Sequence, residues 1–405
     1  MAAVAELELP ALEVLSPSLT GPELHAQLDE LRGRHWVARA EPIGYVILER
    51  EAAAHFLRAR EASFPALQML AVQGVTDGPL PSMLSRNLLA LGGEDHRRQR
   101  KLVQPAFTPA AADRHRPACR RHLEALFEPI AAAGRCEFVD SFAAHYPGRV
   151  IAEVIGAPIE DAGRLAHWAN LIQSQFDPVK LATIRDQLER AYVEFVEYAW
   201  ALVQSRRGDP REDLLSELLS FEEEGDRLSE EEVVSLTGAV LVGGVDTTQA
   251  QLSHALLLFA GHPDQWRLLA EDPSLAPGAV EEVLRFEPIT PFTARIADEE
   301  MTYDGVTFPQ GSLIFAAVAS ANRDPAAHEA PERFDITAER EAKPLTFGAG
   351  PHFCLGANLA RVELAEALVF LAERMPDLEL DGEPVYDTPL GIYGVKKLPL
   401  HWTGA

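Results

Sequence analysis

"FGAGPHFCLG", residues 347–356, holds one of only three cysteines in the chain. A buried structural cysteine would more often sit on the apolar face of a helix or strand. A disulfide needs a partner, and nothing nearby supplies one. Gly348 and Gly350 let the backbone turn tightly and approach a ligand closely. A dinucleotide fingerprint is rejected, because the third glycine is replaced by Phe353 and a thiol does not bind phosphate.

The next stretch, LGANLARVELAEALVFLAER, places Leu359, Val362, Ala365 and Val369 at helical spacing. Cys354 therefore lies just before a helix N-terminus, whose free N–H groups and positive dipole end favour a thiolate. Such a thiolate is a nucleophile or a metal ligand. No general base or oxyanion motif accompanies it, and one sulfur cannot hold zinc or an iron–sulfur cluster. A single axial thiolate on haem iron fits the count, since the porphyrin supplies the other four ligands.

The wider composition narrows the class. The chain has 405 residues, 36 basic against 62 acidic, for a net charge of -26. That surface repels nucleic acid and anionic membranes. Cys119, Cys136 and Cys354 leave an odd thiol and no C-x-x-C pair, which suits a reducing cytoplasm and argues against zinc or a disulfide scaffold. The N-terminus has neither a basic start nor a long apolar run, so no signal peptide or membrane anchor is expected.

Extended, turn-rich segments lie at 36–50, 292–317 and 375–402. Residues 50–62, most of 95–286, and 356–375 read as helical. The expected fold class is mainly α with small β-sheets (α+β), in one domain over 1–405. Sequence-distant strands would pair into one sheet, and FEEEGDRLS (221–229) would be a surface loop.

One helix stands out. Ser229 and Glu232 form a capping-box signature, and the pattern then runs without proline to Ala260, with Gly261 and Pro263 marking its stop. A helix this long and apolar must cross the interior. Yet its centre reads Gly243-Gly244-Val245-Asp246-Thr247-Thr248. Two accounts stay open. The glycines pack closely against another helix and Asp246 finds a local partner, or something flat approaches the backbone beside an acid and hydroxyl pair. In the second, the Thr247 hydroxyl bonds back one turn and opens a pocket.

Taken together, these motifs resemble the cytochrome P450 family of haem-thiolate monooxygenases, over nearly the whole chain. The loop matches F-G-x-G-x-H-x-C-x-G at Phe347, Gly348, Gly350, His352, Cys354 and Gly356. The central GGVDTT, Glu282-Val283-Leu284-Arg285 as E-x-x-R, N-R-D-P (Asn322 to Pro325) and P-E-R-F (Pro331 to Phe334) follow in family order. E-x-x-R alone is a weak signal; the set in this order is specific. The length and expected lack of an anchor look like a soluble bacterial member.

The resemblance implies a P450 fold with a long central helix crossing over haem b, and Cys354 as axial thiolate. Phe347, Gly348, Gly350 and Gly243 would shape the haem site. His96, Arg100, Arg295 and His352 would meet the propionates. Asp246 and Thr247 would relay protons during oxygen activation. Glu282, Arg285 and Arg333 would form a buried ion cluster bracing the haem core, a structural role. Substrate would contact Ala239, Val242, Gly243, Pro291, Phe292, Ile392 and Tyr393, under lids at 64–84 and 171–185.

The implied activity is insertion of one atom of O2 into a hydrophobic small molecule, by hydroxylation or epoxidation. Electrons would come from NAD(P)H only indirectly, through a separate ferredoxin or flavodoxin docking near Arg97, Arg98 and Lys101. The protein would be a cytoplasmic monomer. Two rivals remain: a peroxide-driven hydroxylase or decarboxylase on the same fold, and a non-catalytic haem sensor. The intact Asp246-Thr247 pair argues against the first, and the absence of any recognisable signalling domain argues against the second.

Overall fold

The computed structural model describes residues 2–16, 18–223 and 225–403. The chain sorts into two compact units whose segments alternate along it. One comprises residues 1–65, 281–354 and 386–394; the other comprises 66–280, 355–385 and 395–405.

The first unit is built on a six-stranded sheet. Its strand order is 11–13, 37–41, 45–47, 313–317, 292–297 and 62–63. Ile314, Phe315 and Ala316 lie parallel to Tyr45, Val46 and Ile47, while Leu313 to Ala317 run antiparallel to Ile296 to Phe292. Strands some 270 residues apart in sequence therefore pair directly, as the sequence suggests. Val37, Ile47, Ile314 and Ala316 bury one face of this sheet with Phe56 and Phe308 of the same unit. Val46, Ala38 and Ala317 bury the other face with Leu24 and Leu28 from the helix Gly21–Arg32. Alternating residues thus serve two cores, the period-2 consequence of a pleated strand. That amphipathic helix and the short strands at 2–3 and 11–13 were not foreseen.

The second unit is helical, as expected for most of 95–286. Its centre is the helix Glu230–Gly261, 32 residues long and about 48 Å at 1.5 Å per residue. The Ser229 hydroxyl accepts the Glu232 amide hydrogen, and the Glu232 carboxylate accepts that of Ser229, so the capping box forms as read. Helices 146–155, 162–173, 178–208 and 357–374 pack around it. A small sheet joins 379–380, 399–401 and 135–137, so the C-terminal strands close onto a strand inside the helical run. Residues 222–223 and 226–227 pair as a short hairpin where a loop was expected; Glu224 within it lies outside the described residues.

The two central glycines divide the open accounts between them. A Cβ on Gly244 would lie 2.5 Å from Ile151 Cδ1, so close helix packing explains this position. A Cβ on Gly243 would meet nothing within 4 Å. The helix stays exposed or half-exposed at Ala239, Val242, Gly243, Asp246 and Thr247, which recur every three or four residues on one face. G244A is therefore expected to lower stability to urea by about 1–3 kcal/mol through overpacking. I151V in that background should recover part of the loss. G243A should be neutral or add up to ~1 kcal/mol of helix propensity.

Candidate functional site

The first unit carries the thiol. Gly348 and Gly350 take φ of +73° and +72°, in the left-handed region that favours glycine. Gly350 also has no room for a side chain: a Cβ there would lie 2.8 Å from Arg58 Cα and 3.0 Å from Leu57 O. The loop closes on itself where the Cys354 amide donates to Phe347 O at 2.9 Å. Of the three free cysteines only Cys354 is exposed. Burial pushes the other two thiols, Cys119 and Cys136, up to about 12, so they stay protonated. Residues 357–374 form the helix foreseen after the loop.

The chain entering the loop is pinned from behind. Asn322 Oδ1 accepts the Leu345 amide at 2.7 Å, and Asn322 Nδ2 donates to Thr346 Oγ1 at 3.0 Å. Thr346 Oγ1 donates to Leu284 O at 2.5 Å, on the E-x-x-R helix. The N-R-D-P asparagine thus connects that helix to the thiol loop.

Behind these contacts lies the ion cluster. Arg285, fully buried, donates to both Glu282 oxygens at 2.8 Å. Its remaining donors reach the carbonyls of Asn322, Pro331 and Arg333 at 3.2, 2.8 and 2.9 Å. Arg333 requires a correction. Its side chain is 68% exposed and meets Asp335 at 3.3 Å, so it contributes only its carbonyl. The second guanidinium on Glu282 is Arg340, at 2.8 and 2.9 Å. Nothing in the sequence marks Arg340, which lies in an aperiodic segment seven residues past Arg333. Burial raises the Glu282 carboxyl, but the hydrogen bonds from Arg285 and Arg340 outweigh it and leave the group below its usual range.

Arg295, on the strand 292–297, is 3% exposed. Its guanidinium donates to the carbonyls of Ala294 at 2.9 Å and Leu57 at 3.5 Å. Burial alone lowers it to about 10, and among the described residues no carboxylate pairs with it. A buried guanidinium of this kind suits an anionic group. It shares Leu57 O with the close approach of Gly350. His352 lies half-buried in the loop.

Tyr393 is also corrected. It is buried in the first unit's core; its hydroxyl accepts the Gly21 amide at 2.5 Å, and its ring stacks on Tyr386. It is a fully buried packing residue, not an exposed lining one. Pro291 is buried as well, while Phe292 and Ile392 are half-buried.

In the second unit, Thr247 Oγ1 donates to Gly243 O at 2.5 Å, the back-bond expected one turn earlier. Asp246 is half-exposed beside it on the same uncovered face. On the helix Gly93–Val103, His96 is buried, and both burial and Arg100 lower its pKa. Arg100 follows one turn later, half-buried. Arg97 and Lys101 are exposed. Arg98 is engaged internally: it pairs with Asp226 at 3.2 Å and with Glu232, the residue that also closes the capping box. The stretch 64–84 forms helices at 66–72 and 79–84, around a depression of about 450 Å³ edged by Leu67, Ala71, Val75 and Pro81.

A thiol on a glycine-turned loop, braced by a buried E-x-x-R cluster, and a small-residue helix face with an acid and a hydroxyl agree with the resemblance. The family model for cytochrome P450 matches residues 167–374. The luteothin monooxygenase of Streptomyces thioluteus is 35% identical over 403 residues, 98% of this chain and 97% of the relative. The chain belongs to the cytochrome P450 family. The P450 monooxygenase PikC of Streptomyces venezuelae is 37% identical over 79% of this chain and 76% of its own length. The crystal structure of CalO2 matches at a TM-score of 0.90 and 27% identity, over 98% of this chain and 100% of that one. This P450 is a monooxygenase of mainly α fold with small sheets, and the family implies haem iron and O2. No helix among the described residues is long and apolar enough to cross a membrane.

The ion cluster yields a graded test. E282Q leaves two buried guanidiniums without their carboxylate and should cost about 3–5 kcal/mol in urea unfolding. R333A should stay within about 0.5 kcal/mol. Because the folded Glu282 pKa is depressed, its contribution is complete above the unfolded carboxyl's value, about 4.3. It is lost as pH falls through the folded value. The gap between wild type and E282Q should therefore close at acid pH.

Proposed function

We propose that this P450 inserts one atom of O2 into a C–H or C=C bond of a hydrophobic small molecule, with electrons from a separate ferredoxin or flavodoxin. The observation that carries this reading is that the one exposed thiol, Cys354, sits on a loop held rigid by two left-handed glycines and the Asn322 contacts. In this reading Cys354 would hold the iron of haem b through its thiolate. Arg295, His352, His96 and Arg100 hold its propionates, and the buried, unpaired guanidinium of Arg295 supports that role. Phe347, Gly348 and Gly350 shape the loop against the porphyrin, and the open space over Gly243 suits a flat group. The haem, when bound, supplies the oxidising chemistry.

The chain's own part is positioning and proton control. Asp246 carries a proton inward from solvent, and Thr247 Oγ1 holds it where oxygen is reduced. The short bond from Thr247 to Gly243 O fixes the hydroxyl on the open face. Ala239, Val242 and Gly243 line the apolar side for substrate, with Phe292 and Ile392. The stretches 64–84 and 171–185 form its lids. The donor docks on Arg97 and Lys101, steered by their charge; Arg98 drops out because Glu232 and Asp226 hold it. The protein acts as a cytoplasmic monomer.

D246N and T247V should each lower product formed per electron consumed by on the order of 10²-fold. The carbon monoxide spectrum should stay unchanged in both, since Cys354 and the loop that carries it keep their sequence. Full product yield in both variants would end the relay assignment. R97E/K101E should raise the KM for a ferredoxin donor and weaken its salt dependence. It should leave substrate-binding spectra unaltered.

A further inference from the structure

The first unit contains a buried histidine that the proposed chemistry does not use. His328 is 4% exposed, and both its ring nitrogens are buried without a hydrogen-bond partner. Arg50 Nη1 is buried and unpartnered as well, although Arg50 Nη2 donates to Lys343 O. Both residues hang from Asp324. Its Oδ2 accepts the Arg50 amide at 2.8 Å, and its carbonyl accepts the His328 amide at 3.0 Å. Arg340 reaches the carbonyl of the neighbouring Glu329 at 3.0 Å.

Positive charge is in excess around this ring. Burial lowers the His328 imidazole to about 4, with Arg285, Arg50 and Arg340 acting in the same direction and Glu282 against them, so the ring is neutral at pH 7. Arg58 adds a further cation beside Arg50, and the Asp324 carboxylate partly offsets it. The acceptors are already taken. Glu282 is held by Arg285, Arg340 and the Asp335 amide, and Asp324 by the Arg50 and Ala326 amides. A buried guanidinium donor without an acceptor is a standing cost. A cation would be repelled. A phosphate-like dianion would need more donors than Arg50 Nη1 and one imidazole N–H.

We propose that Arg50 Nη1 and His328 bind a small monovalent anion of chloride size, which ties the 324–343 segment to the helix Arg50–Arg58 behind the thiol loop. The proposed site invokes no haem or substrate contact, so it stands or falls separately from the oxygenase reading.

The test uses the haem-loaded enzyme dialysed into gluconate at pH 7.5. Chloride is then titrated in at constant ionic strength, and thermal unfolding is followed by circular dichroism. A saturable rise is expected, roughly 2 °C once chloride reaches about 30 times its Kd. It should vanish in H328F, which keeps an aromatic ring but removes both nitrogens. Wild-type crystals soaked in bromide should show an anomalous peak within hydrogen-bond distance of Arg50 Nη1, a readout that does not depend on any variant folding. Superimposed chloride and gluconate curves would overturn the proposal, as would an undiminished rise in folded H328F or a bromide-soaked crystal with only water at the site.

Discussion

Glu282 is a carboxylate that folding takes out of water, and the unit carrying the thiol is arranged around satisfying it. Desolvation alone would push the group towards its neutral form, but two bidentate guanidiniums, Arg285 and Arg340, and one backbone amide keep it charged. Arg285 then has donors left over, which it directs to the carbonyls of Asn322, Pro331 and Arg333. Those carbonyls belong to the irregular segment that would otherwise have no reason to hold one conformation. Asn322 passes the constraint on to Leu345 and Thr346, and from there it reaches Gly348 and the loop. One buried charge thereby sets the position of a loop sixty residues further along the chain. Burying an ion pair contributes little net stability on its own; its value here is that it specifies a single arrangement of loop backbone.

The central helix follows a different logic. Its apolar faces are covered by the helices around it, and Gly244 lets the 146–155 helix come close. One face is left uncovered, and on it the sequence becomes small or polar: Ala239, Gly243, Asp246, Thr247. The helix is therefore a packing element on most of its circumference and presents small and polar side chains on one uncovered stripe. Thr247 stays within the helical hydrogen-bonding pattern by donating to the carbonyl of Gly243, so the hydroxyl is ordered before any ligand is present.

Much of this was legible in the sequence because it is local. The capping box at Ser229 and Glu232, the end of that helix after Gly261 and the helix after Cys354 depend on residues a few positions apart. The need for glycine at 348 and 350 is likewise a backbone property. The errors concern side chains that meet across loops. Arg340 supplies the guanidinium expected from Arg333, because an irregular segment turns one arginine outward and brings another in from seven residues away. Arg98 looked like part of a free basic cluster, yet Asp226 and Glu232 hold it. Tyr393 looked like pocket lining, yet the Gly21 amide needs its oxygen. The short strands at 2–3 and 11–13 leave no period to read, since they form by pairing with partners elsewhere in the chain.

All of these contacts bear on one claim, that Cys354 presents a thiolate to haem iron. The most direct test is the difference spectrum of the dithionite-reduced, haem-loaded protein with and without carbon monoxide. A strongly red-shifted Soret band, lost in C354A, is the expected result, because it reports thiolate opposite the bound gas. An ordinary histidine-like carbonyl band from natively folded protein, or a red-shifted band that survives in C354A, would contradict the account.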